Sequence, residues 1–406
     1  LQLFYFIYIV MQIMSNVPVE LHPQIDPNVP AIPATHEQIL YFLSSTSGLG
    51  HASRAVAIAQ EMAFHNEASI TFAAHPNAHE FLHNNLAHTG LDYEVASLNY
   101  AAFMPDDEFV AINGPIFGRL SCSNVVTNDF LTQINSVRTA LSDQSLTAPL
   151  VGVYHSIEGY AVDDIGVKTY QDAYRAIAKS LHVLFLAEPK LTHMAPYEMD
   201  NGTLVVPCDP VVRKPTKSPE QVKLELGLQP EDEFIFVQGG MSGSGELREF
   251  IDSLSGLSIK GLKLVLAPFR AGLEQFTLDG EHVIHMPKRM DAQNIVAASQ
   301  GIISKPGMGI MGEAIANAKP LLFVHDYDPE RIVKYVMLQQ ILGNELPFLL
   351  TTEKPIMPQI NDWLEAAPEI SQQFSAIPCE GAAKLARAIP RIGVEGRAIY
   401  ETDMVV

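Results

Sequence analysis

The segment 302–324, IISKPGMGIMGEAIANAKPLLFV, narrows what this chain can fold into more than any other. It begins with a short buried strand at Ile302 and Ile303 and turns at Gly307 and Gly309. A helix follows from about Ile310 to Ala318, then a second buried strand over Leu321–Val324. Ala314, Ile315 and Ala318 recur at helical spacing and give that helix a core face. Pro320 opens the second strand, where a missing N–H does least harm. The whole is a βαβ unit of a parallel sheet. Gly307-Met308-Gly309 then lies between a strand end and a helix N-terminus. Free amides and the positive end of the helix dipole face that gap, which suits an anion. Glu313 is expected in the first turn of the helix, within reach of the same gap. An acidic side chain beside a phosphate site serves a hydroxyl, and a ribose fits.

Two further stretches repeat the pattern. Ile39–Leu43 is a buried strand, SSTSGLGHASR (44–54) the turn after it, and Ala55–Ala63 a helix. As a dinucleotide fingerprint this turn fails. Its third glycine position is Ser53, and the next strand, Ser69–Ala73, runs into Ala74-His75 with no acid for a ribose. In the second half, QGGMSGSGELREF (238–250) follows the buried strand Glu233–Val237. Its glycines and serines present N–H groups and hydroxyls to a phosphate. The Lys-Ser/Thr ending of a Walker loop is missing.

These three stretches, around 44–62, 235–249 and 302–331, resemble the nucleotide-sugar glycosyltransferases of the GT-B fold. The likeness is to the inverting branch. That branch holds the lipid-linked peptidoglycan N-acetylglucosaminyltransferase, the diacylglycerol glucosyltransferases and the UDP-glycosyltransferases. The resemblance implies an α/β chain with two facing Rossmann-like domains built on parallel sheets. Its expected division is an extended or disordered lead-in at 1–37, an acceptor domain at 38–206 and a linker at 207–221. A donor domain at 222–375 and a helix with tail crossing back at 376–406 complete it.

The resemblance also implies site residues. Gly50 and His51 match the glycine-rich G-x-G-H loop, where the histidine is the general base or steadies the donor diphosphate. A solvated or capping histidine is the plain alternative. A base must be neutral, and a helix N-terminus favours neutral imidazole. Arg54, one turn on, is placed to pair with a phosphate or is an ordinary surface arginine. Gly240, Ser242 and Gly243 match the loop that touches the donor phosphates. Met286, with His285 and Met290, matches the segment that holds the edge of the base, and Lys288-Arg289 flank an anion or are solvated. Lys305, Gly307, Gly309, Ile310 and Glu313 complete the donor set. Asp129 ends a strand as the family's acceptor-side acid does, and either assists His51 or caps a turn. His155 and Glu158, after the strand Leu150–Tyr154, are acceptor-side candidates or plain loop residues. Asp328 and Glu330 stand near the sugar-binding Asp-Gln pair of plant-type enzymes, but the glutamine is missing. Asp326-Tyr-Asp328 spells a metal motif of another glycosyltransferase fold, and no metal is expected here.

Retaining members of the fold carry two glutamates eight residues apart, and eight residues before Glu313 stands Lys305. Inversion is therefore expected, with the nucleotide sugar as co-substrate, a UDP-sugar for preference, and no separate cofactor. The acceptor is a small molecule, lipid or glycan hydroxyl. Two rivals share the donor site: a nucleotide-sugar epimerase or hydrolase, and a non-catalytic nucleotide-sugar-binding subunit.

The totals agree with such a protein. The chain has 406 residues, 26 basic against 46 acidic, for a net charge of −20. That excludes a nucleic-acid partner and leaves at most peripheral membrane contact. Cys122, Cys208 and Cys379 form no pairing pattern, which points to reduced thiols in the cytoplasm. Residues 1–14 are apolar but too short to span a bilayer. They are expected to be an over-extended reading frame with Met14 as the start, or a short membrane-seeking tail.

Overall fold

The computed structural model describes residues 37–43, 50–65, 68–98, 108, 111–113, 124–127, 149–154, 181–187, 189, 196–199, 202–239, 249–250, 253–254, 259, 261–267, 282–286, 291–325, 329–343 and 345–395. The expectations for the lead-in 1–36 lie outside them.

The central strands are short, apolar and buried on both faces, as parallel sheets covered by helices require, whereas edge strands such as Tyr93–Ser97 are partly exposed. The first sheet holds β1 (Glu37–Leu43), β2 (Ala68–Ala74), β3 (Tyr93–Ser97), β4 (Asn124–Thr127), β5 (Leu150–Tyr154), β6 (Val183–Ala187), β7 (Tyr197–Glu198) and β8 (Leu204–Cys208). Helix α1 (Gly50–His65) links β1 to β2, and α2 (Pro76–Leu86) links β2 to β3. The strand order is β3-β2-β1-β4-β5-β6-β8-β7. Among these pairings only β7 runs antiparallel, on β8.

The second sheet holds β9 (Phe234–Gln238), β10 (Lys263–Leu266), β11 (Val283–His285), β12 (Gly301–Ser304), β13 (Leu321–Val324) and β14 (Leu349–Leu350). Its order is β11-β10-β9-β12-β13-β14, parallel throughout. Helix α3 (Pro219–Glu225) precedes it, opened by a capping box between Ser218 and Gln221. Helices α4 (Ala292–Ala298), α5 (Met308–Ala316) and α6 (Pro329–Leu342) follow, then α7 (Ile356–Ser375) and α8 (Gly381–Glu395). Both sheets therefore reverse direction between their first and fourth strands, at β1/β4 and at β9/β12. Such reversals are where open α/β sheets bind ligands, beyond the carboxyl ends of the strands.

There are two cores. The second sheet buries Phe234, Phe236, Ile302 and Phe323 with Trp363 and Phe374 of α7. Trp363 lies so close to β12 that a Cβ on Gly301 would sit 2.6 Å from its ring. The first sheet buries Tyr41, Phe72 and Phe185, and its core also takes Leu385, Ile389 and Ile392 from α8. Asn124 at the head of β4 donates to the Ile389 carbonyl at 2.8 Å, which ties α8 to this sheet. Among the described residues no helix is long and apolar enough to cross a membrane.

The chain thus crosses between the sheets twice, at 209–218 and at 376–380. Asp209 joins the two crossings. Its buried carboxylate lies 3.1 Å from Lys384 Nζ and accepts from the Glu380 N–H at 3.3 Å. The backbones are so close that a Cβ on Gly381 would sit 2.0 Å from the Asp209 carbonyl oxygen. Backbone cannot yield as a flexible side chain does. Gly381→Ala is therefore expected to destabilise the protein by about 1–3 kcal/mol. Urea unfolding of the two proteins measures this, and an unchanged midpoint would contradict the close approach.

Candidate functional site

The second sheet's reversal is built from β9 and β12, paired in register with Ser304 beside Gln238. The buried Ser304 hydroxyl lies 2.8 Å from the carbonyl oxygens of both Gln238 and Lys305. Its single proton, shared between them, pins the two strand ends together. Beyond them, half-buried Lys305 leads through Pro306 to Gly307, the extended N-cap of α5. Gly307 offers this helix no capping side chain. The amides of Met308, Gly309 and Ile310 are those that a helix cannot satisfy for itself. Ile310 is buried and anchors the turn, whereas Gly309 is exposed and a Cβ there would meet nothing within 4 Å. Among the described residues Gly309 has no packing reason to be glycine.

Helix α5 begins two residues earlier than its sequence suggests, so Glu313 stands in the second turn, not the first. Its carboxylate is buried and faces a partner the sequence did not announce. Arg213 Nη2 lies 3.0 Å from Glu313 Oε1. The expected ribose ligand is thus held by an arginine in this structure. Burial pushes the Glu313 carboxyl up and the Arg213 charge opposes that shift. Met286, just after β11, donates its N–H to the Leu266 carbonyl at 2.8 Å, so that amide is already committed.

In the first sheet the reversal pairs β1 with β4, Phe42 beside Thr127. Gly50 opens α1, exposed and with open space at its Cβ position. His51 is the next residue. Burial pulls its imidazole down to about 3, helped by the charges of Arg54 and Lys334. Arg54 is no surface arginine: it is buried and donates to the Val153 carbonyl at 3.2 Å. Tyr154, at the end of β5, is buried and hydrogen-bonds Thr127 at the end of β4. Lys334 belongs to α6 of the second sheet, so His51 feels both halves at once. Helices α1 and α5 are also in contact.

The other expected site residues fall outside the described residues: Asp129, His155, Glu158, Gly240, Ser242, Gly243, Asp328, and with them Met290, Lys288, Arg289 and Asp326. Glu330 lies in α6, but its side chain is outside the described set. Sequence reasoning missed Arg213, Lys334, Thr127 and Tyr154. A buried tyrosine ending the strand Leu150–Tyr154 was a signal open to use; the other three carried none.

Because Gly309 is exposed within α5, alanine there should raise stability by about 0.5–1 kcal/mol, the usual helix preference over glycine. Gly309→Val should keep the fold and fill the space over the amides. The expected result is a normal unfolding curve with loss of anion binding, read by titration with UDP. Normal UDP binding by Gly309→Val would show that the gap is not the site.

No protein-family model matches the chain. It is 30% identical over 106 residues to a UDP-N-acetylglucosamine--N-acetylmuramyl-(pentapeptide) pyrophosphoryl-undecaprenol N-acetylglucosamine transferase of Aquifex aeolicus. That match covers 26% of this chain and 31% of the relative, about a third of its length. A UDP-glucosyltransferase from Polygonum tinctorium superposes with a TM-score of 0.58 at 13% identity, over 91% of this chain and all of that one. MurG of Acinetobacter baumannii superposes with a TM-score of 0.53 at 13% identity, over 87% of this chain and 99% of that one. Two parallel sheets with matching strand order, superposable on these proteins along most of their length, give this chain the GT-B fold of the glycosyltransferases.

Proposed function

We propose that this protein is a glycosyltransferase that moves a sugar from a nucleotide-sugar donor, a UDP-sugar, to a hydroxyl acceptor. Transfer proceeds with inversion, without a metal, in the cytoplasm. The observation that carries this reading is the uncapped N-terminus of α5 at one sheet reversal, with α1 and its neutral His51 beside it at the other. In this reading 38–206 is the acceptor half and 222–375 the donor half.

The donor diphosphate lies at the amides of Met308, Gly309 and Ile310, with Lys305 and the loop carrying Gly240, Ser242 and Gly243 around it. Glu313 accepts from the ribose. The acceptor oxygen attacks the anomeric carbon in line as the bond from that carbon to the diphosphate oxygen breaks. The amides stabilise the charge gathered on the leaving group. The acceptor proton passes to His51, assisted by Asp129.

His51 with its imidazole near 3 is neutral but a weak base, and the best base titrates near the working pH. Burial is the main cause, and Arg54 and Lys334 add to it; a bound diphosphate offsets the part due to these two cations. Donor binding therefore makes the base stronger, and the uncharged site is protected from idle proton uptake. Imidazole NMR of the protein alone should show His51 neutral down to pH about 3. Saturation with UDP should move its titration upward; no movement would separate His51 from the donor site.

The test of the function is a binding screen of UDP-, GDP- and dTDP-sugars by calorimetry, followed by transfer assays. A UDP-sugar should bind, and His51→Ala should bind it too while turnover falls roughly 10²–10⁴-fold, the range of a lost general base. Binding of none of these donors would remove the proposal. Donor consumption that needs no acceptor would replace it by the hydrolase or epimerase reading.

A further inference from the structure

Arg213 stands in the first crossing between the sheets, buried to 5% exposure. Its guanidinium reaches both halves. On the first half, Nη1 lies 3.4 Å from Asn85 Oδ1, and Cζ lies 5.1 Å from the centroid of the Phe81 ring. Both residues belong to α2. Asn85 is itself held: its Nδ2 donates to the Phe81 carbonyl at 2.8 Å, and its own carbonyl accepts from Gln60 Nε2 at 3.2 Å. The amide oxygen is thereby aimed at Arg213. On the second half, Nη2 takes Glu313 Oε1 at 3.0 Å, and Nη1 lies 3.8 Å from Asp291 Oδ1 at the head of α4. Val212, the preceding residue, packs so tightly on α5 that a Cβ on Gly312 would come within 2.8 Å of it.

We infer that Arg213 is a positioning residue for the donor site. It holds the Glu313 carboxylate ionised and oriented, and it sets the start of α5 against the first half. The inference rests on the donor reading given above. The arginine engages only one carboxylate oxygen, Oε1, which leaves Oε2 to accept from a donor hydroxyl. An ionised carboxylate accepts hydrogen bonds on both oxygens, whereas a protonated one gives up acceptor capacity. Among the described residues the charged groups facing Glu313 are Arg213 from the crossing and Asp291 from α4. Burial and Asp291 favour the protonated form, and Arg213 is the group that opposes them. Lys214, next in the chain, points elsewhere and pairs with Glu61 at 2.7 Å. Without the Arg213 charge, Glu313 takes up a proton at a higher pH, and the donor loses its hydroxyl partner there.

The experiment is calorimetric titration of UDP-sugar into wild type, Arg213→Met, Arg213→Lys and Asp291→Asn across pH 5.5–9, with KM and kcat measured in parallel. Arg213→Met should bind the donor roughly tenfold or more weakly at the acid end, the factor that accompanies one unit of pKa. Binding should recover as the pH rises, with KM affected more than kcat. Arg213→Lys should restore most of the affinity. Arg213→Met with Glu313→Gln should show no pH dependence. Asp291 is on the half-exposed rim, so Asp291→Asn keeps the fold even if Arg213→Met does not. It should move the acid loss of donor binding in the wild type to lower pH. Weakening by Arg213→Met that is equal at every pH, with no rescue by lysine, would leave Arg213 a structural strut and overturn the inference. So would an Asp291→Asn profile identical to wild type. If the wild type itself binds no nucleotide sugar, the donor reading falls and this inference with it. If it binds and these pH signatures are missing, this inference alone falls.

Discussion

Two buried charges of opposite sign, Asp209 and Arg213, stand four residues apart in one crossing, and the arrangement of the two halves depends on both. A charge taken out of water is costly unless it is paired. Removing one partner of a buried pair typically costs about 3–5 kcal/mol. Neither residue can be satisfied inside the crossing, which has no regular structure. Asp209 finds Lys384 and the Glu380 amide in the returning chain. Arg213 finds Asn85 on one side and Glu313 on the other. Each pair forms only when segments a hundred or more residues apart in sequence are in place. The crossing therefore sets the placement of the sheets by charge as well as by packing.

That placement bears on the proposal that a chain of net charge −20 holds a diphosphate. Fields from distant carboxylates are screened within about 8 Å of solvent at physiological salt. What an anion meets is local. Near the junction Lys305 leads into α5, Arg213 pairs with Glu313 in its second turn, and the charges of Arg54 and Lys334 act on His51. Helix dipoles act within a single turn, so the approach of α1 to α5 matters more than the total charge. Burial keeps His51 neutral, and Arg54 and Lys334 add to that effect. Acidic composition and an anion site are compatible because the two act over different distances.

The sheets were legible because buried parallel strands leave runs such as FIFVQ and LLFV that need no partner to be recognised. Strands Leu150–Tyr154 and Leu321–Val324 match the sequence expectation residue for residue. The start of α5 was placed two residues late because Gly307 gives no capping side chain and the first turn carries no acid. The edge strands β7 and β14, two residues each, are shorter than any periodic signal. Arg213 was invisible for a different reason. Among the prolines of 207–221 it resembled an ordinary linker residue, and its partners lie 128 and 100 positions away. Local pattern carries no information about a pair formed at that separation. Glu313 was expected at the start of this helix and lies in its second turn, and its partner Arg213 could not be read from its own segment.

Glycine has two physical uses here that sequence alone cannot separate. At Gly301 and Gly381 the space for a side chain is already filled, by Trp363 and by the Asp209 carbonyl. These glycines serve the fold. At Gly50 and Gly309 the same space is empty. Within α5, glycine even weakens the helix relative to alanine, so the internal structure supplies no reason for it. Among the described residues, packing does not require glycine at either position. Both open positions lie at helix N-termini beside the two sheet reversals, where exposed amides are the chemistry on offer. The open space at Gly309 is compatible with the anion proposed for this gap.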